Sequence, residues 1–170
     1  MSVLKIVKYP SDILKQKLLP VENFNSDLKY IVRDMFETMY AHNGIGLAAN
    51  QVGINKRIVV VDISLKGEKK VLPIALVNPE ITYQSKKKQI AEEGCLSFPG
   101  FFDKISRSVS IEVEYYDING KKQKILAEGL LARVLQHEID HINGITFIER
   151  MKINKQIKFY LMFWLGKYKF

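Results

Sequence analysis

The stretch EGLLARVLQHEIDHING, residues 128–144, decides the fold of this 170-residue chain, because it predicts one long helix with an apolar face. Its apolar residues recur at the three- and four-residue spacing of a helix that packs on a core: Leu131, Val134, Leu135 and Ile139. Asn143-Gly144 comes next and is typical of a helix end. We therefore predict a helix over residues 128–142 that is buried by the rest of the chain.

Other segments alternate between helix-like and strand-like patterns. Ser26 is the predicted N-cap of a first helix, which Asn43-Gly44 ends. Extended segments are predicted at residues 58–61, 71–78, 109–116 and, after an Asn119-Gly120 turn, 121–126. A last helix is predicted over residues 154–165. This order predicts an α+β fold, with antiparallel β-strands packed around the central helix and a C-terminal helix.

The composition indicates a single globular domain. Hydrophobic residues make up 47% of the chain and charged residues 26%, which is ordinary for a domain with its own core. No apolar run reaches the roughly 18 residues of a membrane span, and the first residues lack a secretion signal. We expect a cytoplasmic protein, with a catalytic body over residues 1–150 and a basic, apolar helical tail over 151–170 of the same domain.

The net charge of +8 is concentrated in the tail. From Arg150 onward there are six Lys or Arg residues and no Asp or Glu, which leaves about +2 for the body. The body therefore does not have the charge of a general nucleic-acid-binding domain, and we expect no DNA binding.

Two of the three histidines lie in the predicted central helix, as His137 and His141. Residues four apart lie on one helix face, so both imidazoles can bind one metal ion, while Glu138 can reach a water at that metal. The alternative is a helix surface that contains these residues by chance. The H-E-x-x-H spacing favours a catalytic metal site with Glu138 as general base.

A catalytic site of this kind needs a third protein ligand and an open position. Downstream of His141 the only candidate is Glu149, whereas upstream Cys95 lies in EEGCLSFPG, predicted as a loop. A lone cysteine is more often a core residue, but beside two histidines a ligand role is favoured. One Cys and two His leave a tetrahedral position vacant, as in hydrolytic centres.

The stretch GIGLAANQVG, residues 44–53, predicts irregular backbone because of its glycines. It lacks the lysine of a phosphate-binding P-loop. Such a loop can lie along an extended substrate, and Gln51 can donate its amide N–H where negative charge develops on a carbonyl oxygen. Taken alone, a glutamine such as Gln51 in a loop is more often an ordinary polar residue than a catalytic donor.

Together the three stretches resemble the peptide deformylase family. The family motifs GxGLAAxQ, EGCLS and QHExDH stand here intact and in order, as GIGLAANQ at 44–51, EGCLS at 93–97 and QHEIDH at 136–141. The resemblance extends from about Tyr9-Pro10 to Arg150 and so covers nearly all of the chain except the tail.

The resemblance implies a metal-dependent hydrolase that removes the N-formyl group from the formylmethionine of nascent polypeptides through a metal-bound hydroxide. It implies metal ligation by Cys95, His137 and His141, and proton transfer by Glu138. Catalysis would further involve oxyanion stabilisation by Gln51 and the backbone N–H of Leu96. Substrate binding would involve Ile45, Gly46 and Gly94. The implied cofactor is one divalent ion, Fe²⁺ in the cell, with Zn²⁺, Ni²⁺ or Co²⁺ as substitutes.

Three further positions are open to two interpretations each. Phe101 and Phe102 lie where many relatives carry a basic residue, and they could form an apolar rim of the cleft or pack in the core. Arg107 could pair with Glu93 beside Cys95 or be exposed at the start of a strand. Asp140 is expected to position the helix or a ligand.

The tail carries Ile157, Tyr160, Leu161, Trp164 and Leu165 on one helical stripe, with Phe159, Met162 and Phe163 elsewhere. It could pack on the body with its lysines in solvent, contact the membrane surface transiently, or dock on the ribosome, as the family resemblance implies. We expect ribosome contact and no stable membrane association. For the whole chain, the alternatives are a general metallopeptidase and a non-catalytic protein that holds RNA.

Overall fold

The computed structural model describes residues 2–64 and 72–170. Its helices are α1 (Ser26–Ala41), α2 (Gly129–Ile142) and α3 (Ile153–Trp164). Its strands are β1 (Gly46–Ala48), β2 (Ile58–Val61), β3 (Ile74–Gln84), β4 (Lys88–Gly94), β5 (Phe102–Ser108), β6 (Ser110–Tyr116) and β7 (Lys122–Glu128). Short 3₁₀ turns occupy Asp12–Lys15, Ala49–Val52 and Phe147–Arg150.

Five strands form one antiparallel sheet in the order β1-β2-β3-β6-β7. The β-branched residues of β2 are all buried, and β6 alternates buried Ile111 and Val113 with more accessible neighbours. Strands β4 and β5 form a separate antiparallel hairpin, in which Gly94 is opposite Phe102. The predicted α+β class and antiparallel pairing are confirmed.

Helix α2 is the central element, and every residue from Val134 to Ile142 is buried. Its apolar residues join α1 and the five-stranded sheet in a main core. A second core consists of Tyr9, Leu14, Phe98, Ile105, Phe147, Ile148, Met151 and Phe159. Polar residues of α2 are buried as well, so they need polar partners inside the protein.

The predicted boundaries require small corrections. Asn25, rather than Ser26, caps α1, since its Oδ1 accepts a hydrogen bond from Leu28 N at 3.2 Å. Helix α2 starts one residue later than predicted, and α3 is shifted by one residue toward the N-terminus. The extended segment predicted at 71–78 becomes β3, which runs on to Gln84, while residue 71 lies outside the described residues.

Two predictions of irregular backbone were right only in part: residues 95–101 lie outside helices and strands, as predicted for the loop of Cys95, but parts of both stretches are regular. The stretch at 44–53 contains strand β1 and a 3₁₀ turn, and the stretch before Cys95 is the end of strand β4. Strands β4 and β5 were missed because their sequences, KQIAEEG and FDKISRS, lack a sustained apolar–polar alternation.

Helix α3 packs on the second core through Phe159, which is 1% exposed. Phe159 lies off the stripe identified in the sequence. Most of that stripe is exposed to solvent, including Trp164 at 83%. Helix α3 is therefore docked on the body, but with its large apolar stripe uncovered among the described residues.

Candidate metal centre and substrate cleft

Helix α2 and the hairpin bring three potential metal ligands together. The ligand atoms of Cys95, His137 and His141 all lie within 4.8 Å of one another, and Cys95 Sγ is 3.2 Å from His141 Nε2. The histidines lie one turn apart on α2, and Cys95 directly follows β4. Cys95 is also held by a turn, in which buried Phe98 donates its N–H to Cys95 O at 2.9 Å. Thiolate and imidazole donors at this separation fit one divalent ion.

Glu93 orients the first of the two histidines. His137 Nδ1 lies 3.0 Å from Glu93 Oε2, so Nε2 is the nitrogen left for a metal. Arg107 pairs with the same carboxylate in a bidentate manner, at 3.0 and 3.1 Å, which confirms the interpretation of Arg107 as a partner of Glu93. Burial opposes ionisation, but the hydrogen bonds from His137 and Arg107 lower the pKa of Glu93 to about 2.

Asp140 continues this network of charges. It accepts a hydrogen bond from Arg107 and another from Arg150 Nε at 2.9 Å. Asp140 therefore ties the end of α2 to β5 and to the turn before α3, which is the positioning role expected from the sequence.

The two histidines differ in their protonation. Burial alone would lower the pKa of His137, but its contacts with Cys95 and Glu93 raise it well above the ordinary value. Burial and the nearby charge of His137 lower the pKa of His141 well below it. A metal ion binding here would compete with a proton for His137.

Glu138 is buried beside the three potential ligands. Its Oε2 has no hydrogen-bond partner among the described residues, and its Oε1 lies against Gly46, only 2.5 Å from where a β-carbon there would lie. Burial raises the pKa of Glu138 to about 7. This carboxyl group can therefore both accept and donate a proton near neutral pH.

Gln51 is held with its amide nitrogen toward Cys95. Its Oε1 accepts a hydrogen bond from Ala48 N at 2.8 Å, and its Nε2 is 3.2 Å from Cys95 Sγ. Gln51 is 2% exposed, so its amide cannot turn freely. The structure thus brings the amide donor of the first motif to the cysteine of the second.

A cavity of about 740 Å³ opens onto these groups. The predicted substrate-binding residues Ile45, Gly46 and Gly94 all line it, as does Leu96. Phe102 lines the mouth of the cavity and is 60% exposed, whereas Phe101 packs against Phe147 and Phe159. Of the two alternatives that the sequence left open, Phe102 is part of the rim of the cleft and Phe101 packs in the core.

Three residues of α2 in the cavity wall were not identified from the sequence as site residues: Leu130, Arg133 and Val134, of which Val134 was predicted only to pack in the core. Leu130 and Val134 precede His137 and Glu138 on α2 at helical spacing, so the face that carries the histidines could have identified them. Arg133 lies on the same face, one turn before His137, but it was passed over because an arginine on a helix usually faces solvent.

Comparisons with known proteins agree with this geometry. Residues 3–156 match the family model described as polypeptide deformylase. The chain belongs to the polypeptide deformylase family. Among curated members, a peptide deformylase of Thermodesulfovibrio yellowstonii is 49% identical over 89% of this chain and 90% of its own length. One of Rhizobium meliloti is 44% identical over 88% and 85%.

Solved structures of the polypeptide deformylase family have the same fold. A peptide deformylase of Ehrlichia chaffeensis, crystallised with actinonin, superposes with a TM-score of 0.86 at 45% identity, covering 93% of this chain and 94% of that one. A crystal structure of peptide deformylase from Legionella pneumophila gives 0.85 at 40% identity, over 92% and 90%.

Family membership settles the functional class. The chain is an enzyme of the polypeptide deformylase family, which is metal-dependent, and the Cys-His-His cluster is a fitting site for the ion. Membership rules out both alternatives, the general metallopeptidase and the non-catalytic RNA-holding protein. None of the helices in the described parts of the chain has the length and apolarity to cross a bilayer.

Proposed function

We propose that this enzyme removes the N-formyl group from the formylmethionine at the start of nascent polypeptides, releasing formate and a free α-amine. Relatives that are 44% and 49% identical to it are named peptide deformylase. The single observation that carries the proposal is Glu138, a buried carboxyl with one oxygen unpaired among the described residues. It lies beside a Cys-His-His cluster and opens onto a cleft.

Cys95, His137 and His141 would hold one divalent ion, with Fe²⁺ as the proposed ion in the cell. When bound, the ion polarises a carbonyl oxygen and lowers the pKa of water toward neutrality. The Cys95 thiolate adds negative charge to the centre, and Zn²⁺, Ni²⁺ or Co²⁺ could occupy the same ligands. Glu93 keeps the His137 ring oriented for this purpose.

Proton transfer is assigned to Glu138. Its pKa of about 7 lets the carboxylate take a proton from the attacking water and then return it to the departing amine. The position of Glu138 against Gly46, a residue of the cleft wall, supports this assignment.

Stabilisation of the negative charge on the formyl oxygen is assigned to Gln51 Nε2 and the Leu96 N–H. Gln51 is fixed by its bond from Ala48 N, so its donor needs no reorientation during the reaction. Removing one such donor typically lowers turnover about 100- to 1000-fold.

The peptide would lie in the cleft along Ile45, Gly46 and Gly94. Leu130 and Val134 offer an apolar wall for the methionine side chain. At the mouth, the exposed Phe102 is placed to contact a later side chain of the peptide.

The test is formate release from formyl-Met-Ala-Ser by anaerobically prepared, Fe²⁺-loaded protein. We expect rapid release by the wild type and a loss of at least about 100-fold in Glu138→Gln, with the metal content unchanged. Unformylated Met-Ala-Ser is the control substrate and should stay intact. A fully metallated wild type that releases no formate would contradict the proposal.

We also propose that α3 and the residues after it contact the ribosome. The support is a run of exposed lysines without an acidic residue, together with the uncovered apolar stripe. Phosphate contacts predict binding that weakens steeply between about 50 and 200 mM salt. The cytoplasmic location and the absence of DNA binding and of stable membrane association stay predictions.

Cosedimentation with ribosomes tests the contact. Changing Lys158, Lys167 and Lys169 to Glu should reduce binding much more than the same change at the three exposed lysines of residues 86–88, which alters the net charge equally. Equal losses in the two variants would point to net charge alone and would contradict docking through α3.

A further inference from the structure

Arg133 is a mostly buried arginine on α2, one turn before His137, with a side chain 11% exposed. Its Nη1 donates to Glu93 Oε1 at 2.6 Å and to Ile105 O at 3.0 Å, and its Nη2 donates to Gln89 O at 2.7 Å. The three acceptors belong to both strands of the β4–β5 hairpin. One guanidinium therefore joins the helix of the histidines to both strands of the hairpin of the cysteine.

We propose that Arg133 is a positioning residue for the metal centre. It fixes the hairpin against α2, so that Cys95 meets His137 and His141, and it holds the Glu93 carboxylate at His137 Nδ1. The inference rests on the proposed use of these three residues as metal ligands.

The hairpin needs such a connection because it lies outside the five-stranded sheet. Near the sheet, Val109 N bonds Lys87 O and Gly129 N bonds Val109 O, each at 3.0 Å, whereas farther along β4 and β5 the position relative to α2 depends on side-chain contacts. Gln136 bonds the backbone of Ser108, and Arg107 reaches Asp140, but both contacts lie at the last residues of β5. Arg133 reaches the middle of β5 and the opposite strand β4, which leads directly to Cys95.

Glu93 depends on Arg133 as well. Its Oε1 accepts from Arg107 Nε at 3.1 Å and from Arg133 at the shorter distance of 2.6 Å, while its Oε2 is shared by Arg107 and His137. Without Arg133, the buried Oε1 would keep only its longer contact. The carboxylate could then turn away from His137, and the ring would lose its fixed orientation.

A simpler role is that Arg133 only forms part of the cleft wall, beside Leu130 and Val134. The two roles predict different results. A wall residue alters KM for the peptide and leaves metal binding unchanged. A positioning residue alters metal binding even when no substrate is present.

The experiment compares the metal affinity of wild type, Arg133→Met and Arg133→Lys by anaerobic competition for Co²⁺ with a chromophoric chelator. The visible Co²⁺ spectrum reports the thiolate and imidazole ligands. We expect Arg133→Met to bind Co²⁺ about tenfold more weakly or worse, with a changed spectrum and a lower kcat at metal saturation. We expect Arg133→Lys to bind Co²⁺ nearly as weakly as Arg133→Met, because one ammonium group cannot reach three acceptors on two strands.

Arg57→Met is the matched control. Arg57 is also a partly buried arginine with acceptors on separate elements, since it donates to Asn143 Oδ1 at 2.8 Å and Pro79 O at 3.1 Å. We expect its replacement to lower Tm while the Co²⁺ affinity stays within about twofold of wild type.

Two results would overturn the inference. Wild-type Co²⁺ affinity and spectrum in Arg133→Met, with only KM changed, would reduce Arg133 to a wall residue. Wild-type behaviour of Arg133→Lys would show that charge alone matters. The Co²⁺ affinity and the Co²⁺ spectrum are measured without substrate, so these two results can be interpreted even if the wild type releases no formate.

Discussion

Because Gly46 has no side chain, Glu138 and Val134 can pack directly against its backbone. A β-carbon at this position would lie 2.5 Å from Glu138 Oε1 and 2.7 Å from Val134 Cγ1, so something must move. We expect Gly46→Ala to push Glu138 out of place and to lower kcat roughly 10- to 100-fold, because displacements of about 1 Å at a catalytic group have such effects. The metal content should stay at the wild-type level, since no proposed ligand is touched. Steady-state kinetics of the purified variant measures kcat, and metal analysis measures its metal content.

Gly120→Ala serves as the comparison for Gly46→Ala. Gly120 has φ of +81° in the turn between β6 and β7, far from the cleft residues, and an alanine there is strained. We expect it to lose about 1 kcal/mol of stability and to keep its kcat. A Gly46→Ala enzyme with wild-type turnover would show that Glu138 is not held against this glycine.

The spacing of His137 and His141 was the most informative residue-scale signal, because helix geometry alone places the two on one face. Cys95 could not be assigned from its own sequence context, since a buried core cysteine has the same appearance. Arg133 escaped notice for a physical reason: its acceptors are a carboxylate and two backbone carbonyls of a hairpin that the sequence did not reveal.

At the scale of elements, predictability followed the strength of the apolar pattern. Strand β2, four consecutive β-branched residues, and helix α2 were predicted nearly to the residue. The β4–β5 hairpin was missed because its register is set by cross-strand pairing and by side chains of α2, rather than by alternation along either strand. The hairpin that leads to Cys95 is thus the one whose sequence gives the weakest strand pattern.

The orientation of α3 leads to a prediction about stability. Helical periodicity identifies two apolar faces on α3 without deciding which one packs, and the structure packs Phe159 against Tyr9 and Phe98. We expect Phe159→Ala to lower the free energy of unfolding by about 3–5 kcal/mol, as for other buried aromatic residues. Trp164→Ala, at an 83% exposed position, should change it by no more than about 0.5 kcal/mol. Urea unfolding measures the free energy of unfolding of both variants. A loss in Trp164→Ala as large as that in Phe159→Ala would contradict docking of α3 through Phe159 alone.

At the scale of the whole molecule, the proposed metal centre lies where the main core and the second core meet. The histidines belong to α2, whose apolar face is part of the main core, and Cys95 packs against the second core. Neither core alone contains all three ligands. A bound ion would therefore join two separately packed parts of the protein.

Metal removal should for this reason affect the stability of the entire fold and not only its activity. An ion that binds the folded state alone stabilises it by about 2.7 kcal/mol when its free concentration is 100 times Kd. We expect thermal unfolding to occur several degrees lower after anaerobic chelation and to recover when Co²⁺ is added. Glu138→Gln should retain this metal-dependent rise in Tm, because Glu138 is not among the proposed ligands, whereas His141→Ala should lose most of it. A wild-type Tm that is the same with and without the ion would show that the folded protein does not bind the ion in preference to the unfolded chain, and would contradict the proposed metal centre.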